Sequence, residues 1–142
     1  MLSIEEVREY ITDYPESNLL LDKEEFSDSF ISLCMSFAVD SFNTMSPISR
    51  YAHENFPSKE VQLLGTLYHM YNGRSAQMAR NHLSYTDGGL QIPVEEKYEL
   101  YARLAATFLE SFNTTAARLK IAINMEQGWG EIRSDEAMMP LW

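Results

Sequence analysis

From residue 93 to about residue 127 the chain reads "PVEEKYELYARLAATFLESFNTTAARLKIAINMEQ", with no glycine and no proline after its first position. Proline suits the first turn of a helix, where its missing N–H costs nothing. Behind it Tyr98, Tyr101, Ala105, Phe108, Phe112, Leu119 and Ile123 recur at helical spacing and trace one apolar stripe. About 32 helical residues at about 1.5 Å each give a rod near 48 Å. A compact domain of 142 residues is only about 29 Å across, taken as twice its expected radius of gyration. A helix of this length cannot be enclosed by its own domain. Part of it must project or pack against another subunit.

The rest of the chain reads as shorter helices. Ser3-Ile4-Glu5-Glu6 has the form of a capping box, and a helix follows to about Ile11. "TDYPESNLLLD" breaks it with turn residues. Asp22-Lys23-Glu24-Glu25 reads as the start of a second helix, its acids placed at the positive end of the dipole. Phe26, Phe30, Leu33, Cys34, Phe37 and Phe42 fall close to one face of it, and it should end near residues 43–45. Residues 46–57 form a linker bounded by Pro47 and Pro57, and Ser58 caps the next helix. Val61, Leu64, Tyr68 and Tyr71 mark its buried stripe to about Arg80, and Gly73 weakens it by about 1 kcal/mol, which leaves room for a kink or early end there. "SYTDGGLQI" then reads as a tight hairpin near residues 83–92, because Asp87-Gly88-Gly89 tolerates the positive φ angles of a turn. Leu83 with Tyr85 and Leu90 with Ile92 alternate as short strands do. Such a ribbon is marginal alone and needs a neighbour. Gly128 and Gly130 are expected to stop the long helix, leaving an extended arm over residues 128–142. The arm carries Trp129, Ile132, Met138, Met139, Leu141 and Trp142, where termini are ordinarily small and polar. It either folds back on its own core or docks in a groove on a partner. The expected fold is mainly α: a helical body over residues 1–127 with a small β-hairpin, one long C-terminal helix and an extended C-terminal arm.

Charge restricts the function classes. The net charge is −10. Residues 1–28 hold nine acids and two bases, and the remainder is near balance. Gripping nucleic acid needs a basic patch, which is missing. A negative surface that DNA slides past is compatible with this balance, and so is a plain solvated face. No apolar run approaches the roughly 20 residues of a membrane span, and the acidic start is unlike a secretory signal. A cytoplasmic site of folding is expected. The single cysteine, Cys34, allows no internal disulfide and sits in an apolar helical pattern, as a buried inert thiol does.

Chemistry is hard to find. His53, His69 and His82 lack zinc spacing, and Thr86-Asp87-Gly88 lacks the alternating acids of a calcium loop. No Gly-Lys-Ser/Thr follows Gly89, so a phosphate loop is not formed, and Asp87, Glu95 and Glu96 would repel an anion there. Glu95, Glu96 and Glu99 are explained by the helix dipole, with Lys97 and Arg103 beside them. No catalytic, cofactor-binding or metal-binding set is expected.

The order of elements resembles that of the head-to-tail adaptor, or head-completion, proteins of tailed bacteriophages. The likeness rests on "LSIEEVREYITDYPESNLLLDKEEFSDSFISLCMSFAVDSFN" with its "D-x-F-N" end, on the "N-x-L-x-Y-x-D-G-G" hairpin, and on the long last helix and arm. The chain is longer than the smaller members, mainly in that helix and arm. The resemblance implies a non-enzymatic structural protein of the virion neck, assembled in the host cytoplasm and serving genome packaging. It implies a ring, usually of twelve copies, that binds the portal protein on one side and a tail-completion or neck protein on the other. DNA would pass through without specific binding, and no membrane is involved. Met138, Met139, Leu141 and Trp142 would anchor the arm on the portal. The ribbon, with Tyr85, Asp87, Gly88, Gly89, Leu90 and Ile92, would touch a neighbouring subunit or ring. Two other readings stand beside this one. The chain could be a small acidic helical regulator or inhibitor of a host protein, or an enzyme of an unrecognised helical class.

Overall fold

The computed structural model describes residues 1–18, 21–81 and 95–130. Four helices follow in order: α1 (Ile4–Ile11), α2 (Asp28–Thr44), α3 (Lys59–Arg80) and α4 (Glu95–Gly130). Among the described residues there is no β-strand. The expected hairpin near residues 83–92 lies outside the described residues; of the arm expected over residues 128–142, residues 128–130 are the last turn of α4 and residues 131–142 lie outside the described residues.

Local chemistry explains the helix starts. Ser3 Oγ accepts from the Glu6 amide, while Glu6 Oε2 accepts from the Ser3 amide at 2.9 Å, which completes the capping box of α1. Ser58 caps α3 by accepting from the Val61 amide. α2 begins later than expected, at Asp28 behind the cap Ser27, rather than near Asp22. The reason is Asp13. Its buried carboxylate accepts the amides of Glu25 and Phe26, at 2.7 and 3.0 Å, holding them outside the helix. Gly73 and Gly128 both lie inside helices, the first as the reading to about Arg80 allows and the second beyond the expected end of its helix. α3 runs through Gly73 as one helix, and the space left by the missing side chain receives the Phe30 ring. α4 continues past Gln127 to Gly130, so Gly128 weakens the helix by about 1 kcal/mol without ending it.

α3 is the central element. It packs antiparallel to α2, with Gly73 against Phe30 and Gly65 against Ala38. It packs antiparallel to α4, with Gly65 against Phe112 and Tyr71 stacked on Tyr101 and Phe108. One core cluster joins Leu2 and Val7 to Ile31, Cys34 and Met35 of α2 and to Leu67 and Met70 of α3. A second joins Phe42, Val61, Phe112 and Ala116. Burying a phenylalanine such as Phe42 contributes about 1.5–3 kcal/mol.

The lengths of the last two helices do not match. α4 has 36 residues and α3 has 22, or about 54 and 33 Å. With Gly65 opposite Phe112, the start of α3 lies near residue 118 of α4. The last dozen residues of α4, about 18 Å, extend beyond it. On their inner side Leu119 and Ile123 pack against the second core cluster, as do Met45, Tyr51 and Phe56 of the linker region between α2 and α3.

Candidate interaction surfaces

The outward faces follow from what each helix turns inward. α2 buries Ile31, Cys34, Met35, Ala38, Val39 and Phe42. Leu33 and Phe37, expected on the same buried face, stand outside it at 48% and 45% exposure. They are one turn apart, and Asp40 follows on the same side, exposed. Phe37 touches the His69 ring, whose Nε2 lies 3.1 Å from Ser41 Oγ. Burial pushes the His69 imidazole below its ordinary value.

α4 shows a comparable outer stripe. Leu100 and Leu104 are exposed near its start, and Ile121 and Met125 near its end at 60% and 58%. Tyr98, expected in the buried stripe, is also exposed. Arg118 lies one turn before Ile121 and is exposed. The inward face carries Ala105, Phe112 and Ala116, with Tyr101, Phe108, Leu119 and Ile123 half-buried. Ile121 and Met125 therefore sit on the part of α4 that outruns α3.

Polar ties set the angle at which these faces are presented. Lys120 is buried. Its Nζ donates to the carbonyls of Met45 (3.0 Å) and Pro47 (2.7 Å) and to Ser49 Oγ (2.8 Å). The ammonium also lies 4.5 Å above the Phe42 ring. All three of its protons are used, although burial lowers its affinity for them. At the other end Tyr101 donates to Glu25 Oε1, which also accepts from Arg74 Nε at 3.2 Å. Burial, with the bond to Glu25 next, raises the Tyr101 hydroxyl well above its ordinary range. α4 is thus fastened at Tyr101 to the segment before α2 and at Lys120 to the segment after it.

Arg8 and Asp13 organise the acid-rich end. Arg8 is buried and reaches Asp13 (3.0 Å), Asp28 (2.6 Å), Glu24 (3.2 Å) and the Phe26 carbonyl (2.7 Å). Burial works against its charge, but Asp28, Glu24 and Asp13 outweigh it and hold the guanidinium above its ordinary value. Among the described residues, five of the nine acids in residues 1–28 make ion pairs: Glu6, Asp13, Glu24, Glu25 and Asp28.

Catalytic features are sparse in the described part. No group of three His, Cys, Asp or Glu side chains that could hold a metal occurs among the described residues. Cys34 is buried, and burial pushes its thiol up to about 12, so it is not a nucleophile at neutral pH. Glu99 pairs with Arg103 at 3.6 Å on the surface of α4. A shallow cleft of about 410 Å³ lies between the start of α1 and α2, lined by Leu2, Ile4, Met35 and His53 among others. No described helix is long and apolar enough to cross a membrane.

Of the site residues expected from sequence, Trp129 alone falls in the described part, in the last turn of α4. Ile132, Met138, Met139, Leu141 and Trp142 lie outside it, as do Tyr85, Asp87, Gly88, Gly89, Leu90 and Ile92. The outward pairs on α2 and α4 were missed by stripe reasoning. The available signal was an apolar pair at i and i+4 set off from the main stripe. Comparison with protein-family models, curated proteins and solved structures finds no match.

Proposed function

We propose that this chain is a structural assembly subunit that forms a ring in the neck of a tailed-phage virion, joining portal to tail and letting DNA pass. The observation that carries the reading is α4. It outruns the helix it packs on, it is tied to the flanks of α2 at Tyr101 and Lys120, and it exposes Ile121 and Met125 on its projecting part. Exposed apolar side chains on a rigid projection are what a docking surface needs. Repeated head-to-tail contacts between such surfaces close into cyclic rings. The net charge of −10 suits a channel wall that DNA passes without adhering. In this reading residues 131–142 anchor on the portal, and the segment containing Gly88 and Gly89 touches a neighbouring subunit or ring.

The test is mass. Full-length protein is examined by light scattering, alone and with isolated portal rings. A defined high-order oligomer, free or seated on the portal, is expected. Deleting residues 135–142 should abolish portal binding while leaving helix content intact. A chain that stays monomeric or dimeric under both conditions, and binds a host protein one to one, would favour the small acidic regulator instead.

A further inference from the structure

Two outward triads match each other in spacing and charge. On α2, Leu33, Phe37 and Asp40 are separated by four and then three residues. On α4, Arg118, Ile121 and Met125 are separated by three and then four. If two such helices run antiparallel, Leu33 meets Met125, Phe37 meets Ile121 and Asp40 meets Arg118, all in one register. The four apolar members are 45–60% exposed. Both charges are exposed, and neither makes an ion pair among the described residues. Small exposed residues flank them: Ser36 on α2, and Ala117 and Ala122 on α4. Small flanking residues let two helices approach closely.

The triads cannot meet within one chain. α2 turns Ala38 toward Gly65 of α3 and Phe42 toward Lys120 of α4, and its triad lies about 130° around the helix from Ala38. α4 turns Phe112 and Lys120 inward, and its triad lies about 150° from Phe112. α2 and α4 run parallel within the body, because both are antiparallel to α3. The antiparallel pairing therefore needs a second copy. We infer that Leu33, Phe37 and Asp40 of one subunit seat against Met125, Ile121 and Arg118 of the next, as a head-to-tail contact. This deepens the ring reading and rests on it. Two different surfaces meet, so each subunit keeps one free half of the contact and the chain of copies can grow until it closes.

Complementation tests it. One full-length variant carries Leu33→Asp with Phe37→Asp, and the other carries Ile121→Asp with Met125→Asp. All four positions are exposed, so circular dichroism should show wild-type helix content. In native mass spectrometry each variant alone should be monomeric. An equal mixture should form one-to-one dimers and nothing larger, because one intact half of each surface survives. Leu100→Asp with Leu104→Asp should leave assembly unchanged. A second set uses charge alone: Asp40→Arg or Arg118→Asp should weaken assembly about tenfold, and the double exchange should restore it. Variants that assemble like wild type, or a mixture that stays monomeric while wild type forms rings, would overturn the inference and leave the ring reading standing. A wild-type chain that forms no oligomer at all, alone or on the portal, would remove both.

Discussion

Replacing Gly65 with alanine probes the closest approach in the body. A Cβ at this position would lie 2.9 Å from the Ala38 Cβ and 2.9 Å from Phe112 Cε2. Ordinary carbon–carbon contact is about 3.5–4.0 Å, so the methyl needs almost 1 Å on each side. Neither wall yields readily. Ala38 has no flexible end to turn aside, and Phe112 is buried beside Ala116 and Phe42. Overpacking of this kind costs about 1–3 kcal/mol, and two opposed walls argue for the upper half of that range. Alanine returns about 1 kcal/mol through helix propensity. The net expectation is a loss of about 1–2 kcal/mol, or a fall in Tm of about 4–8 °C for a domain of this size. Gly73→Ala is the control. It meets only the tip of the half-buried Phe30 ring, at 2.8 Å, and that ring can turn outward. Its propensity gain should offset the clash, leaving stability within about 0.5 kcal/mol of wild type. Urea unfolding of both variants, with unchanged slope, measures the difference. If Gly65→Ala proves as stable as Gly73→Ala, then α2, α3 and α4 do not meet as tightly as argued.

Other perturbations follow from the polar ties. Lys120→Met keeps the stem but strands the Met45 and Pro47 carbonyls and Ser49, and should cost about 2–3 kcal/mol by thermal unfolding; no loss would mean that burying the ammonium cancels its bonds. Tyr101→Phe keeps the stack on Tyr71 and should cost about 1–2 kcal/mol at pH 7. In the wild type the unfolded hydroxyl ionises near 10 while the folded one keeps its proton. Stability should therefore fall as pH rises above 10, and the phenylalanine variant should show less of that fall in pH-dependent urea titrations. For His69 the sign reverses. The unfolded ring gains a proton near 6.5 before the buried one does, so stability should decline as pH drops below 6.5, and His69→Gln should flatten that decline.

Features fixed by neighbours in the chain could be read from sequence. The capping box at Ser3, the cap at Ser58 and the long run that became α4 all depend on residues within a turn or two of each other. What misled was chemistry used at long range. The acids at Asp22–Glu25 look like a helix start, yet Glu24 answers Arg8, and Glu25 answers Arg74 and Tyr101. Lysine is seldom buried, and nothing adjacent to Lys120 announces the linker carbonyls some 75 residues earlier that receive it. Periodicity alone places Leu33 and Phe37 in the buried stripe, because it is blind to how wide a face the neighbours cover. The outward surfaces became visible only when α3 claimed the inward ones.

Four bonds converge on the Asp13 carboxylate, from Arg8, Asn18, Glu25 and Phe26. Their donors are spread over the chain from α1 to the threshold of α2. Such a junction has no half-made form: with the carboxylate in place Asn18, Glu25 and Phe26 are held on one acceptor, and without it the Glu25 and Phe26 amides lose that acceptor together. A protease that cuts loosened chain should therefore find residues 14–18 and 21–26 either closed together or open together. An asparagine at position 13 would not grade the effect, since its amide would turn donors toward donors. One acid among nine thus acts as a keystone for a segment whose composition suggests only surface.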